Sequence, residues 1–168
     1  TLAIFLWGTI LPVIYDSFGA QFESMLDSGL IPPQFAQFGG GDIFSLTGSV
    51  ALGFVHPISV GLSLVFSVGY CAAAVAGERQ RGTLEILLAT PLSRRTTYAT
   101  LGLAGALFIG VTVAGFIGGA TLGSAITGRL DELGVTNLPL LWLNGFLLFA
   151  AFGAISLALS VSFDRLSP

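Results

Sequence analysis

The sequence predicts an all-α protein, a polytopic bundle of membrane-spanning helices. Of its 168 residues, 54% are hydrophobic and only 9% are charged, whereas about a quarter of the residues in a soluble domain are charged. The mean hydropathy is +0.90, and several uncharged segments reach the length of about 20 residues that a helix needs to cross a bilayer. Lipid admits only helices or closed barrels, and these segments are too long and too uniformly apolar for barrel strands.

The first apolar segment, residues 1–15, is short for a membrane span. We therefore expect its beginning to lie upstream of Thr1, so that the chain is a fragment of a longer protein. Residues 16–47 are polar and are interrupted by two adjacent prolines and a run of three glycines. Within this polar segment, the spacing of the apolar residues predicts a short amphipathic helix over residues 18–26.

Three further segments are uncharged and long enough to cross the bilayer: residues 50–76, 98–123 and 138–161. A charged segment, residues 77–97, separates the first two, and a short polar loop, residues 128–138, separates the last two. Together with the partial first span, they predict about four spans in a single transmembrane domain, residues 1–168.

The distribution of arginine predicts the orientation. Residues 77–97 contain four arginines, residues 128–138 contain one and residues 16–47 contain none, while Arg165 follows the last span. Cytoplasmic loops are enriched in Arg and Lys, and acidic residues contribute little to this rule. We therefore place residues 77–97 on the cytoplasmic side of the cell membrane, and residues 16–47 and 128–138 on the extracytoplasmic side.

Small residues recur at helical spacing on the three complete spans. Because such residues let helix backbones approach closely in lipid, these stripes are either ordinary packing faces or the lining of a substrate path or dimer seam. The stripes are Gly115, Gly119 and Gly123; Ala150, Ala154 and Ala158; and Ser63, Ser67 and Cys71. The three complete spans contain no Asp, Glu, Lys or Arg, which argues against a carrier driven by an ion gradient.

The composition also excludes several kinds of chemical site. The chain has no lysine, so it cannot contain a phosphate-binding loop of the P-loop type. Its only cysteine is Cys71 and its only histidine is His56, which excludes an intrachain disulfide and a two-histidine metal site. We interpret His56 as an interfacial residue near the outer end of a span, with Pro57 early in the helix. An intramembrane hydrolase that uses His56 and Ser63 is the enzymatic alternative.

Residues 78–95, ERQRGTLEILLATPLSRR, form a charged segment with clear helix signals, here called the elbow. Gly82 predicts a break in the helix. The hydroxyl of Thr83 is then placed to cap a short new helix, and Glu85 suits the positive end of that helix. The predicted helix has one apolar face, made of Leu84, Leu87 and Leu88.

The second half of the elbow leads back to the membrane. Pro91 ends or kinks the short helix, and Ser93 is placed to cap the next one, with Arg94 and Arg95 at the membrane surface. On physical grounds alone, this pattern equally describes a plain re-entry turn whose leucines dip into the interface.

The elbow resembles the signature segment of type-2 ABC transporter permeases. In these exporters an acidic residue, then Gly-Thr-Leu-Glu, a leucine pair and Pro-(Val/Leu)-Ser-Arg follow the second membrane helix, and residues 78–95 match this order almost completely. Elsewhere the resemblance is one of topology only. Family members normally have six spans in each permease unit, so the resemblance implies that about two C-terminal spans and the start of the first lie outside this chain.

The resemblance implies a permease subunit of an ATP-driven exporter, in which the elbow docks on an ATP-binding-cassette subunit. The leucines of the elbow would fill a hydrophobic groove on that subunit, and its charged residues would contact the rim of the groove or fix the helix at the membrane. The implied interface residues are Glu78, Arg79, Arg81, Gly82, Thr83, Leu84, Glu85, Leu87, Leu88, Pro91, Arg94 and Arg95.

The resemblance also implies the remaining partners. ATP and Mg²⁺ would be held by the ATP-binding subunit, so this chain would bind no cofactor and would not itself be an enzyme. A second permease half, identical or different, would complete the transporter in the lipid, and no nucleic acid is expected as a partner. The alternative is a membrane anchor or assembly protein that uses the same elbow to recruit a cytoplasmic partner without transport.

Overall fold

A computed structural model describes residues 1–30, 37–38, 41–42, 45–89, 91 and 93–162, without the side chains at positions 22, 23, 26, 27, 37, 38, 41, 42, 87 and 88. It confirms the predicted all-α fold, with four helical segments long and apolar enough to cross a membrane. These segments are Leu2–Gln21, Pro57–Gln80, Arg94–Ile126 and Leu130–Ser162.

The helices are α1 (Leu2–Asp27), α2 (Leu46–Val55), α3 (Pro57–Ala72), α4 (Glu78–Gln80), α5 (Leu84–Leu88), α6 (Arg94–Ile126) and α7 (Leu138–Ser162). A π-helical turn, Ala73–Gly77, joins α3 to α4, and two 3₁₀ turns, Leu130–Leu133 and Val135–Asn137, lie between α6 and α7. Two short strands, β1 (Gln37–Phe38) and β2 (Gly41–Asp42), pair in antiparallel fashion.

Helix α1 is one continuous helix of 26 residues, so the prediction of a short apolar segment followed by a separate helix over residues 18–26 was wrong. Its membrane-competent part, Leu2–Gln21, is 20 residues long. Asp16 lies within this helix, and its carboxylate pairs with Arg129 at 2.8 Å. Residues 31–36, 39–40 and 43–44 of the predicted polar segment lie outside the described residues.

The predicted span over residues 50–76 is interrupted at His56, where the backbone becomes extended (φ −60°, ψ 143°). The cause is Pro57, because its ring disfavours helical geometry at the preceding residue. Helix α2 is therefore separate, and its N-terminus is capped by the Ser45 side chain, which accepts a hydrogen bond from the Gly48 N–H at 3.0 Å. Pro57 begins α3, where its missing N–H costs nothing.

The chain divides into two compact units. The first comprises Thr1–Val60 and Ala114–Trp142, and the second comprises Gly61–Val113 and Leu143–Pro168.

In the first unit, α1 packs closely against the C-terminal part of α6. A side chain at Gly8 would collide with the carbonyl oxygen of Phe116, and one at Gly119 would collide with the carbonyl oxygen of Phe5. Phe116 is fully buried and meets Phe54 of α2 edge to face, with ring centroids 5.0 Å apart. Glycine on both helices is therefore what lets the two backbones approach.

Polar contacts hold one end of the first unit together. The Arg129 guanidinium pairs with Asp16 at 2.8 Å and with Glu132 at 3.1 Å, and it lies 5.8 Å from the centre of the Tyr15 ring. The hydrogen bond that Arg129 donates to Asp16, followed by the charge of Glu132, raises the pKa of Arg129 above its ordinary value. Arg129 thus stays charged at any working pH and links α1 to the turn that follows α6.

In the second unit, α7 buries a face of small and aromatic residues that includes Phe149 and Gly153. A side chain at Gly153 would stand 3.3 Å from the Cys71 sulfur and 3.0 Å from Ile109. The Ser156 hydroxyl donates to the Val68 carbonyl at 3.0 Å, which ties α7 to α3.

Candidate functional site

The elbow begins directly after the π-helical turn Ala73–Gly77, in which Ala76 and Gly77 are buried. A π turn accommodates one extra residue in a helix and is frequent at functional sites. Here it is made entirely of small residues and valine, AAVAG. The change of helical register therefore occurs where the second membrane-competent segment, Pro57–Gln80, passes into the elbow.

The break predicted at Gly82 is present. Gly82 has φ +73°, and its N–H donates to the Arg79 carbonyl while the Thr83 N–H donates to the Glu78 carbonyl, both at 3.0 Å. This pair of bonds is the Schellman motif, which ends a helix with a glycine in the left-handed conformation. The direction in which the chain leaves α4 is thus set by Gly82.

Thr83 does not cap α5 as the sequence predicted. Its backbone is helical (φ −94°, ψ −10°) and its side chain makes no capping hydrogen bond, whereas a capping residue needs an extended backbone. Because the Schellman motif holds Thr83 close to α4, its hydroxyl instead donates to the Glu78 carboxylate and, at 3.3 Å, to the Glu78 carbonyl.

Glu78 and Arg81 pair with each other inside the elbow. The Arg81 guanidinium lies 2.8 Å from the Glu78 carboxylate and also donates to the Gly77 carbonyl at 3.2 Å. The Arg81 side chain is 63% exposed, and such surface pairs contribute only about 0–1 kcal/mol. Their main effect is therefore to orient the turn.

Arg79 connects the elbow to α7. Its guanidinium donates to the carbonyl of Val161, in the last turn of α7, with N–O distances of 3.4 and 3.5 Å. A cation is favourable there because the last carbonyls of a helix carry partial negative charge. No pattern in the sequence predicts this contact, since Arg79 and Val161 are far apart in the chain.

Helix α5 exposes an apolar residue that the predicted leucine face did not include. Ile86 is 72% exposed, while Leu84 is half-buried and Glu85 is exposed. Ile86 lies two residues after Leu84, on the other side of the helix. The side chains of Leu87 and Leu88, together with all of Thr90 and Leu92, lie outside the described part of the chain.

The end of the elbow follows the prediction more closely. The Ser93 side chain accepts a hydrogen bond from the Thr96 N–H at 3.1 Å and so caps α6. Pro91, Arg94 and Arg95 are all exposed. Two arginines in the first turn oppose the helix dipole, at a cost of about 0.3–1 kcal/mol each. Their charges therefore do not stabilise the start of α6.

Two of the three predicted stripes of small residues, those on α6 and α7, have different surroundings. Gly119 and Gly123 of α6 face the backbone of α1, at Phe5 and Thr9. A Cβ added at Gly115 would lie 3.1 Å from the side chain of Thr1. On α7, Ala154 and Ala158 are exposed and Ala150 is half-buried. Ala150 and Ala154 line an apolar cavity of about 220 Å³ in the second unit.

The structure also describes the surroundings of His56 and Ser63, the two residues named for the hydrolase alternative. The His56 ring packs against Trp7, with centroids 5.2 Å apart, and its Nδ1 accepts a hydrogen bond from the Ile58 N–H at 3.3 Å. The Ser63 hydroxyl has no hydrogen-bond partner among the described residues. Within the same residues, no three His, Cys, Asp or Glu side chains gather as a metal site would require.

Comparison with known proteins gives one family. Residues 13–165 match the family model described as ABC-2 family transporter protein, a range that includes the whole elbow. Neither the search of curated proteins nor the search of solved structures gave a match.

Proposed function

The chain belongs to the ABC-2 transporter family, because the family model covers well over half of the chain, and we propose a role for it in ATP-driven export. In this role, the chain couples ATP hydrolysis by a separate subunit to the export of a substrate. As a multi-pass permease component, it supplies the membrane part of the transporter. Without lysine it has no phosphate-binding loop, so in this proposal ATP and Mg²⁺ lie on an ATP-binding-cassette partner.

The exposed side chain of Ile86 carries the proposal that the elbow is the docking element. Ile86 is 72% exposed on a helix of five residues, between charged residues that keep the elbow out of the hydrocarbon. Burying an isoleucine side chain contributes about 1.5–3 kcal/mol. A groove on the partner that covers Ile86 supplies that burial.

The connections of the elbow support coupling. It continues into α3 through the π turn, into α6 through the Ser93 cap, and it holds α7 through the contact of Arg79 with Val161. Three membrane-competent helices are therefore attached to one short segment. A displacement of that segment by the partner moves all three, which is what coupling of ATP hydrolysis to transport requires.

The same elements support the proposed orientation and assembly. The four arginines of residues 77–97 favour the cytoplasmic side of the cell membrane, where an ATP-binding subunit resides. A second permease half, identical or different, completes the translocation path. The exposed alanines of α7 would let a helix of that second half pack closely against it.

Co-purification tests the docking role. The full-length chain is expressed with an ATP-binding subunit of its own operon or genome and purified through a tag on the chain. We expect Ile86→Asp to lower recovery of the ATP-binding subunit by about tenfold or more, because about 1.5–3 kcal/mol of apolar burial is lost. Leu87→Asp should act in the same way.

The matched control is Val135→Asp, which changes another exposed aliphatic residue, 51% exposed, in the loop assigned to the other side of the membrane. This variant should retain full association. An Ile86→Asp protein that inserts normally and still binds the ATP-binding subunit would refute the docking role. Binding without any response of ATP hydrolysis to added substrates would favour the anchor alternative.

A further inference from the structure

We propose that a narrow slot in the second unit, around the buried hydroxyl of Ser63, receives a neutral hydrogen-bonding group when the permease changes conformation. The group is either a water molecule or a hydroxyl or carbonyl of the transported molecule. This inference rests on the proposed transport function, and it assigns Ser63 as a hydrogen-bonding position within the translocation path.

Ser63 differs from the other buried polar residues that the structure describes. These are all serine or threonine: Ser59, Ser63, Ser67, Thr112, Ser124, Ser156 and Ser160. Every other member donates its hydroxyl to a backbone carbonyl, as Thr112 does to Phe108 at 2.9 Å. The Ser63 hydroxyl alone among them has no partner, although the residue is only 3% exposed.

An unpaired hydroxyl is unfavourable in these surroundings. Serine in a membrane helix usually donates to the carbonyl one turn earlier, and a buried polar group without a partner loses the hydrogen bond it would make in water. Lipid cannot replace that bond. The unpaired state of Ser63 therefore points to a partner that belongs to another conformation or occupancy of the slot.

The lining of the slot matches a neutral group. Its polar members are Ser63 and Ser67, one turn apart on α3, and Thr112 on α6, and its apolar walls include Phe66, Ile109 and Phe149. The bond from Ser67 to the Leu64 carbonyl is long, 3.5 Å, and the Thr112 oxygen can still accept. No charged side chain lines the slot, so an ion would enter without compensation.

The slot is closed in the present structure. The gaps between its lining side chains are too narrow for a water molecule. A ligand enters only if α3 separates from α6 or α7. Because α3 continues through the π turn into the elbow, the proposed docking element is attached to the helix that has to move.

Cysteine accessibility tests the slot in the assembled transporter. Cys71→Ala removes the only natural thiol, and Ser63→Cys is added to this parent, purified with its ATP-binding subunit in nanodiscs. The reagent is 2-aminoethyl methanethiosulfonate, which modifies a thiolate in water far faster than a thiol buried in an apolar site. Rates are measured without nucleotide, with ATP and with ATP plus vanadate.

The matched control is Ser156→Cys, a buried serine of the same unit whose hydroxyl is already paired with Val68. In at least one nucleotide state we expect Ser63→Cys to react about tenfold faster than Ser156→Cys or more, since only a hydrated thiol ionises readily. Thr112→Cys, which lines the same slot, should follow Ser63→Cys. Equal, slow modification at Ser63, Thr112 and Ser156 in every state overturns the inference.

Two added amphiphiles identify the occupant. If a substrate-like hydroxyl enters, 1-decanol slows modification of Ser63→Cys while decanoate, its charged counterpart, does not. If only water enters, neither slows it, and the dependence on nucleotide remains. The outcome is separate from the docking test: intact association of Ile86→Asp refutes the proposed coupling, whereas an unreactive Ser63→Cys in a complex that needs Ile86 refutes only the slot.

Discussion

Individual glycines determine where the helices of this protein meet and where they end. Gly8 and Gly119 stand where a side chain would collide with the backbone of the neighbouring helix. Gly82 has the left-handed φ of +73° that a Schellman helix end needs, and Gly128 has the same φ at the end of α6. The glycine spacing on α6 was visible in the sequence, but its partner Gly8 was not, because a single glycine on α1 forms no stripe.

Gly119 and its neighbour Gly118 provide a matched pair of substitutions. Gly119→Ala should destabilise the protein by about 1–3 kcal/mol, because its Cβ would overlap the backbone of α1 at Phe5. Gly118→Ala adds a methyl group 3.7 Å from the Phe5 ring and should be neutral or stabilise by up to about 1 kcal/mol through helix propensity. The measurement is thermal unfolding in detergent, and equal transition temperatures for the two variants would contradict the close approach of α1 and α6.

At the level of elements, hydropathy predicted the later helices well and the earlier ones poorly. Helix α7, Leu138–Ser162, lies within one residue of its prediction, since nothing in it conflicts with the apolar pattern. Helix α1 was predicted too short because hydropathy falls at Asp16, whereas the helix continues to Asp27, since a single acidic residue does not end a helix. The apolar run that became α2 and α3 has no change of hydropathy at His56, so only the local effect of Pro57 divides it.

The elbow shows the same division between local and distant causes. Its helix break at Gly82 and its Ser93 cap follow from residue types at fixed spacing, and both were predicted. The contact of Arg79 with Val161 and the outward position of Ile86 depend on how α4 and α5 leave the π turn. Neither feature follows from the spacing of residues within the elbow.

Gly82→Ala tests whether the elbow must keep this turn. A residue with a Cβ at φ +73° is strained by roughly 1–2 kcal/mol, so we expect α5 to reorient and association with the ATP-binding subunit to fall. Gly69→Ala on α3 is the control, because nothing lies within 4 Å of the added methyl and the backbone there is helical. Quantitative pull-down measures both variants, and unchanged association of Gly82→Ala would show that docking does not depend on the turn.

For the whole molecule, charge is placed almost entirely outside the apolar helices, and this arrangement makes its orientation testable with one protease. The chain contains no lysine, so trypsin cleaves only after arginine. If residues 77–97 are cytoplasmic, trypsin added to inside-out vesicles should cut after Arg79, Arg81, Arg94, Arg95 and Arg165, and leave Arg129 intact.

In right-side-out vesicles the pattern should be reversed, with cleavage restricted to the bond after Arg129. The ion pairs of Arg129 with Asp16 and Glu132 should make this cut slow, and Asp16→Asn should accelerate it by releasing one partner of the guanidinium. Mass spectrometry of the fragments distinguishes the two sides. Cleavage in the elbow from the outer side would invert the orientation, and an ATP-binding subunit in the cytoplasm would then have no access to the exposed Ile86.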